Sequence, residues 1–328
     1  MGKNSKTILL AGVMLISNTF LAQSSQSQLG SSLLVNVIDR KGDAVRTLAK
    51  ESFRIKVNGK PAAISDAKYS LAPRRIVALL DMSGSMAGEA GDKRWRIASE
   101  AIQDLLTDSP PDVPIALLTF SEKVHDTFDF SQSRAAMLAG LRSGVNKEGD
   151  SRVHGRTAIF DAILTATQLL GATRPGDSIY VITDAGDNSS HIHSRAIREL
   201  LVSSQVRLFL FLLSEPSPGD MNEGRDSLKE IARATGGFVF GVSGHNRGVD
   251  SMPSWTYAFD YNEQTRQRIN LYTQALNIQV NGFYTLRFEL PVAPEKAHKV
   301  SLEIVDGAGK PRSDLAFTYS TALLPHAK

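Results

Sequence analysis

Residues 76–86 read IVALLDMSGSM, and this stretch decides the fold. Five apolar residues run into Asp81, and Ser83 and Ser85 follow at alternate positions with Gly84 between them. A short unbroken apolar run marks a strand buried on both faces, as in a parallel sheet. The turn after it presents a carboxylate and two hydroxyls, and Gly84 lets the backbone bend between the hydroxyls. Oxygen donors at D-x-S-x-S spacing suit a hard divalent cation, which takes oxygen ligands and tolerates retained water. The plainer reading is a polar strand-to-helix turn in which Ser83 or Ser85 caps the next helix.

Downstream of this stretch, strand and helix alternate. Residues 95–106 form an amphipathic helix through Ile97, Ala101 and Leu105. A strand over 113–120 follows Pro110-Pro111, then a short edge strand over 124–130 and a helix over 133–141 with Ser133 at its cap position. After a polar loop over 143–156, the spacing of Ile159, Ile163, Ala166 and Leu170 predicts a helix over 157–170. Residues 178–183 read as a buried strand ending in Asp184, 194–203 as a helix, and 206–213 as a fully apolar strand. A helix over 227–235 is stopped by Gly236-Gly237, and 238–242 is the last strand. The alternation implies an α/β fold: a doubly wound, mainly parallel central sheet with helices on both faces. Ligands of such sheets sit beyond the carboxyl ends of the strands. Asp81, Ser83 and Ser85 end one strand, Asp184 ends another, and Thr157 opens a helix at the same level. Three separate loops therefore bring only oxygen ligands to one edge.

These residues resemble the metal-ion-dependent adhesion site of the von Willebrand factor type A domain. Asp81-Met82-Ser83-Gly84-Ser85 is similar to its first motif, Thr157 within GRTAIFDA (155–162) to its threonine motif, and Asp184 within TDAGDN (183–188) to its aspartate motif. The resemblance covers residues 74–243. The flanks, 35–61 and 284–300, are similar to a bacterial family related to that domain. The resemblance implies a fold of the VWA/Rossmann type. It implies that Ser83, Ser85 and Thr157 bind an ion through their hydroxyls, and Asp81 and Asp184 mainly through water. The implied ion is Mg²⁺, with Mn²⁺ or Ca²⁺ as alternatives, and one position stays open for an acidic residue of a protein partner. Two carboxylates roughly cancel a divalent charge, which leaves the ion electrophilic toward a third. Asp161 and Asp187 are candidates to brace the site through hydrogen bonds. Ala185 departs from the family, which usually has Gly there; if the position needs positive φ, the loop is strained.

The ends of the chain have a different character. Residues 1–28 have the pattern of a signal peptide and polar spacer: Lys3 and Lys6, a short apolar core, and Ala22-Gln23-Ser24 for cleavage. This predicts a secreted or periplasmic protein with no membrane insertion after cleavage. The alternative is an uncleaved membrane anchor. Residues 29–73 read as a small β unit with a hairpin at Asn58-Gly59 and a return strand over 62–67. Residues 244–328 read as a linker, a helix over 262–277 and strands over 282–290, 299–305 and 315–320; this tail can pair with the amino-terminal β unit across the central domain.

Composition narrows the function. The 328 residues are 42% hydrophobic, enough for a sizeable core. Removal of Lys3 and Lys6 takes the net charge from +3 to about +1, with no clustered basic face for nucleic acid. Without cysteine there is no disulfide, thiolate metal site or cysteine nucleophile. His191 and His193 on a polar loop are a weak metal candidate. Ser83 as a nucleophile would need His154 or His125 as its base, and no G-x-S-x-G elbow is present. Trp95 and Trp255 read as packing residues. The sequence thus points to an exported, non-enzymatic module that docks an acidic group of a partner through a divalent cation. The alternatives are a scaffolding protein whose occupied site docks nothing, and a hydrolase.

Overall fold

The computed structural model describes residues 29–86, 88–145, 153–213, 223–241, 263–290 and 297–324. The signal-peptide reading over 1–28, Trp255, and much of the linker before the last helix lie outside the described residues. The first β-rich segment supplies β1 (Leu29–Asp39), β2 (Phe53–Val57), β3 (Lys60–Ala62) and β4 (Ile64–Ser70). The middle supplies β5 (Ile76–Asp81), α1 (Gly88–Asp108), β6 (Ile115–Phe120), β7 (Val124–Phe128), α2 (Arg134–Val145), α3 (Ile159–Leu170) and β8 (Ser178–Thr183), then α4 (Ser194–Ser203), β9 (Arg207–Leu212), α5 (Glu223–Thr235) and β10 (Val239–Gly241). The tail supplies α6 (Glu263–Asn281), β11 (Phe283–Leu290), β12 (His298–Ile304), β13 (Leu315–Tyr319) and β14 (Ala322–Leu323).

The middle segment builds a six-stranded sheet in the order β10-β9-β8-β5-β6-β7, parallel except for the antiparallel edge strand β7. β5 is buried along its whole length because both of its faces are covered. Ile76, Ala78 and Leu80 pack with Ile97, Ile102 and Leu105 of α1 and with Leu276 of α6. Val77 and Leu79 turn to the other face and pack with Ile163 of α3 and Leu201 of α4. Each large side chain so buried contributes about 1.5–3 kcal/mol. The chain passes from β5 to β6 on one side, while β8 pairs on the other. The carboxyl end of β5 is therefore the switch point of the sheet, where a crevice opens.

The two β-rich ends interleave. β1 lies between β11 and β13 in a sheet ordered β13-β1-β11-β4, and β2 lies between β12 and β3 in a sheet ordered β14-β12-β2-β3. Alternate residues of both, such as Val35, Phe53, Ile55, Leu286 and Leu302, share one core. The predicted single return strand is two strands in two sheets: β3 pairs with β2 and β4 with β11.

A clasp of polar groups fastens this β unit to the central sheet. Strand β9 is not fully apolar, because it begins with Arg207, which is only 1% exposed. Its guanidinium donates to Asn36 Oδ1 on β1, to Gln279 O on α6 at 2.7 Å and to Gly176 O at 3.5 Å. Asn36 in turn donates to Gln279 O at 3.0 Å and to Gly282 O. The guanidinium carbon lies 5.2 Å from the ring centres of both Phe209 and Phe283. Phe283 fills the space that a Cβ on Gly176 would need, 2.6 Å from its ring, and Gly176 has φ +94°. Burial, and secondarily Arg74, pushes the Arg207 guanidinium down to about 9.

On α1, Glu100, Asp104 and Asp108 recur at four-residue spacing beside α6, where Arg266 reaches Glu100 at 3.6 Å and Asn270 donates to Asp108 at 3.0 Å. Burial pushes the Asp104 carboxyl up to about 6, Asp108 and Glu100 add to the rise, and Arg266 partly offsets it. A carboxyl raised in the folded state holds a proton that the unfolded chain has lost. Its contribution to stability therefore falls as pH rises from about 4, the unfolded value, to about 6. Asp104→Asn is expected to match the parent chain's melting temperature near pH 4 and exceed it at pH 7. Equal melting curves at both pH values would contradict the burial of this charge.

Candidate metal centre

The centre forms where β5 stops. Asp81 is fully buried and both of its carboxylate oxygens are engaged: Oδ1 accepts from Ser83 N at 2.8 Å, and Oδ2 from the Thr183 hydroxyl at 2.5 Å. Met82 N still donates to Phe120 O at 2.7 Å, so the turn begins only at Ser83. One tight helical turn over Gly84–Met86 follows, with Ser83 Oγ 3.2 Å from Ser85 Oγ. Two serines one residue apart therefore present their hydroxyls together.

The second loop is laid directly on this turn. Gly84 N donates to Gly155 O at 3.1 Å, and a Cβ on Gly84 would stand 3.4 Å from that oxygen, so two bare backbones meet. Two residues on is Thr157, buried like Ser83. Thr157 does not open α3 as the spacing predicted. The helix starts at Ile159 because Thr157 O is taken by amides of the third loop and Ala158 has non-helical backbone, φ −117° and ψ 67°; Thr157 N donates to Asn188 Oδ1 at 2.9 Å and Ala158 N to Ser121 O at 2.8 Å.

The third loop leaves β8 at Thr183. Asn188 N and Ser189 N both donate to Thr157 O, at 3.0 and 3.1 Å, so Asn188 grips Thr157 through its backbone and its side chain. Ala185 N donates to Thr183 Oγ1 at 2.9 Å, which fixes the hydroxyl that meets Asp81. Asp184 lies on the same loop, 3.5 Å from Arg94 Nη1 of α1, and Arg94 also donates to Ser85 O at 2.9 Å. The loops carrying Asp81, Ser83 and Ser85, Thr157, and Asp184 are thus stitched to one another by named hydrogen bonds.

Asp161 and Asp187 sit one step back. The Asp161 carboxylate accepts from His191 N at 3.0 Å and Ile192 N at 3.1 Å, and pairs with His191 Nδ1 at 2.8 Å. Burial raises this carboxyl, but the His191 and Ile192 bonds outweigh burial and hold it below the ordinary range. Asp187 Oδ1 accepts from Ile159 N at 3.0 Å and Ser190 Oγ at 2.6 Å, which caps α3. Both carboxylates fasten the 184–192 loop to α3. His191 is therefore spent on Asp161, and among the described residues no group of three or more His, Cys, Asp or Glu could hold a metal ion. His125 Nε2 lies 2.6 Å from Ser121 Oγ, while the Ser83 side chain bonds Ser85 Oγ at 3.2 Å and the Asp81 carboxyl. Thr183, Asn188 and Arg94 were not assigned roles from sequence. Thr183 and Asn188 flank Asp184 in the same motif, and that adjacency was the available signal.

Ala185 adopts φ 72°, a left-handed conformation, while its methyl is fully buried. Left-handed backbone costs a residue with a Cβ about 1–2 kcal/mol. Ala185→Gly removes that strain but also loses a buried methyl worth about 0.8 kcal/mol and loosens the unfolded chain by about 0.5–1 kcal/mol. The effects nearly cancel, so a change in unfolding free energy under about 1 kcal/mol is expected. Ala185→Val is expected to cost more than about 2 kcal/mol, since a β-branched residue is worst at positive φ and must also displace its packed neighbours. Denaturant titration of both variants distinguishes these values.

The chemistry of the cluster fits a hard divalent cation. The donors are hydroxyl and carboxylate oxygens. Burial, with Asp184 adding its charge, pushes the Asp81 carboxyl up to about 7. Two neighbouring acids, one of them fully buried, lower their energy when a positive charge is shared between them.

Residues 76–187 match the family model of the von Willebrand factor type A domain. The matched stretch is about a third of the chain, and it lies in the mixed α/β region with the mostly parallel central sheet. Among solved structures, a von Willebrand factor type A protein from Catenulispora acidiphila is 12% identical, with a TM-score of 0.43 over 92% of this chain and 75% of that one. An aerotolerance-related membrane protein from Bacteroides fragilis is 19% identical, with a TM-score of 0.44 over 63% of this chain and 98% of that one. Proximal thread matrix protein 1 from the mussel byssus, with a zinc-occupied MIDAS motif, is 16% identical, with a TM-score of 0.45 over 67% of this chain and 49% of that one. This chain spans about half the length of the mussel protein. No curated protein matches the chain. Among the described residues, no helix is long and apolar enough to cross a membrane.

Proposed function

We propose that this chain is an exported, non-enzymatic binding module that docks an acidic group of a protein partner through a divalent cation, Mg²⁺ in the first instance. The observation that carries the reading is the mutual hydrogen bonding of the three loops. Gly84 to Gly155, Asn188 to Thr157 and Thr183 to Asp81 tie the three loops to one another at the carboxyl end of the central strands. Ser83, Ser85 and Thr157 would hold the cation directly. Asp81, whose oxygens already accept from Ser83 and Thr183, would act mainly through water, as would Asp184. A bound cation would supply a Lewis-acidic position to a carboxylate of the partner.

This protein's own residues do the rest. Thr183 and Ser83 N fix the Asp81 carboxylate, Asn188 fixes Thr157, and Asp161 and Asp187 hold the 184–192 loop on α3. The site lies on loops at the mouth of a rigid sheet, which is suited to binding a protruding side chain. Affinity capture of exported proteins from the source organism, in Mg²⁺ and in chelator, tests the reading. Partners recovered only with Mg²⁺, and lost with Ser83→Ala, support it. Equal recovery in both arms removes the cation from the mechanism and leaves a scaffold.

A further inference from the structure

We infer that a crevice on the seam between the central layer and the β unit is a binding site for a phosphate-type oxyanion. The crevice has a volume of about 330 Å³ and lies between α4, α5, β12 and β14. It shares no residue with the metal centre. Its size is at the lower end of small-molecule pockets, and it has room for far more than one water molecule. The lining is cationic on both sides of the seam: α4 contributes Arg198, α5 contributes Arg233, and β12 contributes Lys299. Glu230 is the single carboxylate among the described lining residues. Its Oε1 stands 3.5 Å from Arg198 Nη1, longer than a close charge-assisted bond, and its side chain is 66% exposed.

The surrounding charges do not supply the missing anion. On α4, Glu199 is already paired with Arg195 at 3.0 Å. On α5, burial pushes the Lys229 ammonium below its ordinary value, Arg225 and Arg233 push it further, and Asp226 only partly offsets them. Two lining side chains also carry unspent nitrogens: Arg198 Nε and His298 Nδ1 are buried and have no hydrogen-bond partner. A buried donor without an acceptor is costly, and an oxyanion seated against these side chains brings acceptors to them. His298 can carry its ring proton on Nδ1 to meet one. The feature that would repel an anion here, the carbonyl end of α5, is already covered. Arg233 O accepts from Thr321 Oγ1 at 3.2 Å and from Thr321 N at 3.4 Å, and Ala234 O accepts from Ser320 Oγ at 2.5 Å. A single carboxylate would satisfy one guanidinium fork. A phosphate group has the oxygens and the charge for two forks and an ammonium together. A soluble phosphate compound and the phosphate headgroup of a lipid both offer that chemistry.

Calorimetric titration of inorganic phosphate into the full chain, at constant ionic strength and without divalent cation, tests this. The parent chain is expected to bind phosphate. Arg198→Gln and Lys299→Gln are each expected to weaken binding about tenfold. Arg195→Gln removes the same charge from a side chain that is 86% exposed on the same helix but does not line the crevice, and should change the affinity by less than about twofold. Circular dichroism of each variant establishes that it is folded. Flotation with phosphatidylcholine vesicles, with and without phosphatidate, separates the two sources. Flotation that needs both phosphatidate and Arg198 supports the site with a lipid headgroup as its ligand; phosphate binding without flotation supports it with a soluble ligand. The inference is overturned if the parent chain takes up no phosphate, if Arg198→Gln binds phosphate like the parent, or if Arg195→Gln costs as much as Arg198→Gln.

Discussion

Arg207→Ala is expected to lower the unfolding free energy by about 3 kcal/mol, and the melting temperature by roughly 6–12 °C. Two effects oppose each other at this position. Burying the guanidinium costs several kcal/mol, as its fall to about 9 indicates. Its removal abolishes that cost. But Ala leaves Asn36 Oδ1, Gln279 O and Gly176 O without their donor inside the protein, at about 1–3 kcal/mol each, and empties the space between Phe209 and Phe283. The abandoned acceptors and the void together outweigh the relief. Arg207→Met fills most of the volume without a charge and should recover roughly half of the loss. Arg207→Lys should not, because a point charge neither forks between three acceptors nor stacks on two rings. Thermal unfolding of the three variants would falsify this account if Lys were as stable as Arg.

The second large effect concerns the centre itself. With Mg²⁺ at a hundredfold excess over its dissociation constant, the parent chain should gain about 2.7 kcal/mol of stability relative to chelator. Ser83→Ala should abolish that gain. In chelator the variant should lose about 1–2 kcal/mol, since the Ser83 side chain bonds both Ser85 Oγ, at 3.2 Å, and the buried Asp81 carboxyl. The comparison separates a ligand from a merely structural serine. A structural role alone lowers both curves equally, whereas a ligand lowers the one with Mg²⁺ by about 2.7 kcal/mol more. Parallel curves would remove Ser83 from the centre.

How much of this was legible follows from what kind of signal each residue carries. β5 and β8 stood out because buried parallel strands are apolar runs, and the polar residues that end them were conspicuous by contrast. Asp81 and Asp184 are therefore at strand ends, as the spacing placed them. The start of α3 was misplaced by two residues because apolar periodicity does not report that the Thr157 carbonyl is taken by the amides of Asn188 and Ser189. Asn188 carries no periodic signal for its grip on Thr157, a bond that spans 31 residues. Arg94 lies before the apolar period of α1 becomes evident, so the helix was expected to begin later than Gly88. Arg207 was visible as one cation in the run VRLFLFLL, yet the hydrophobic character of its neighbours hid it. Alternation in β1 and β2 told which residues face a core but not which strand, some 250 residues away, would lie alongside.

That distant pairing governs how the molecule comes to exist. Leu29 aligns with Leu290 and Asp39 with Leu315, so the earliest strand has no neighbours until nearly the whole chain has been made. The central α/β layer is built from nearby segments and can form first. The long-range pairing of the β unit is expected to come later and to be the slower, more aggregation-prone step. A chain cut short before β11 leaves β1 as a bare edge that invites association with other copies. The first strand must therefore be kept from pairing elsewhere until the carboxyl-terminal strands are made.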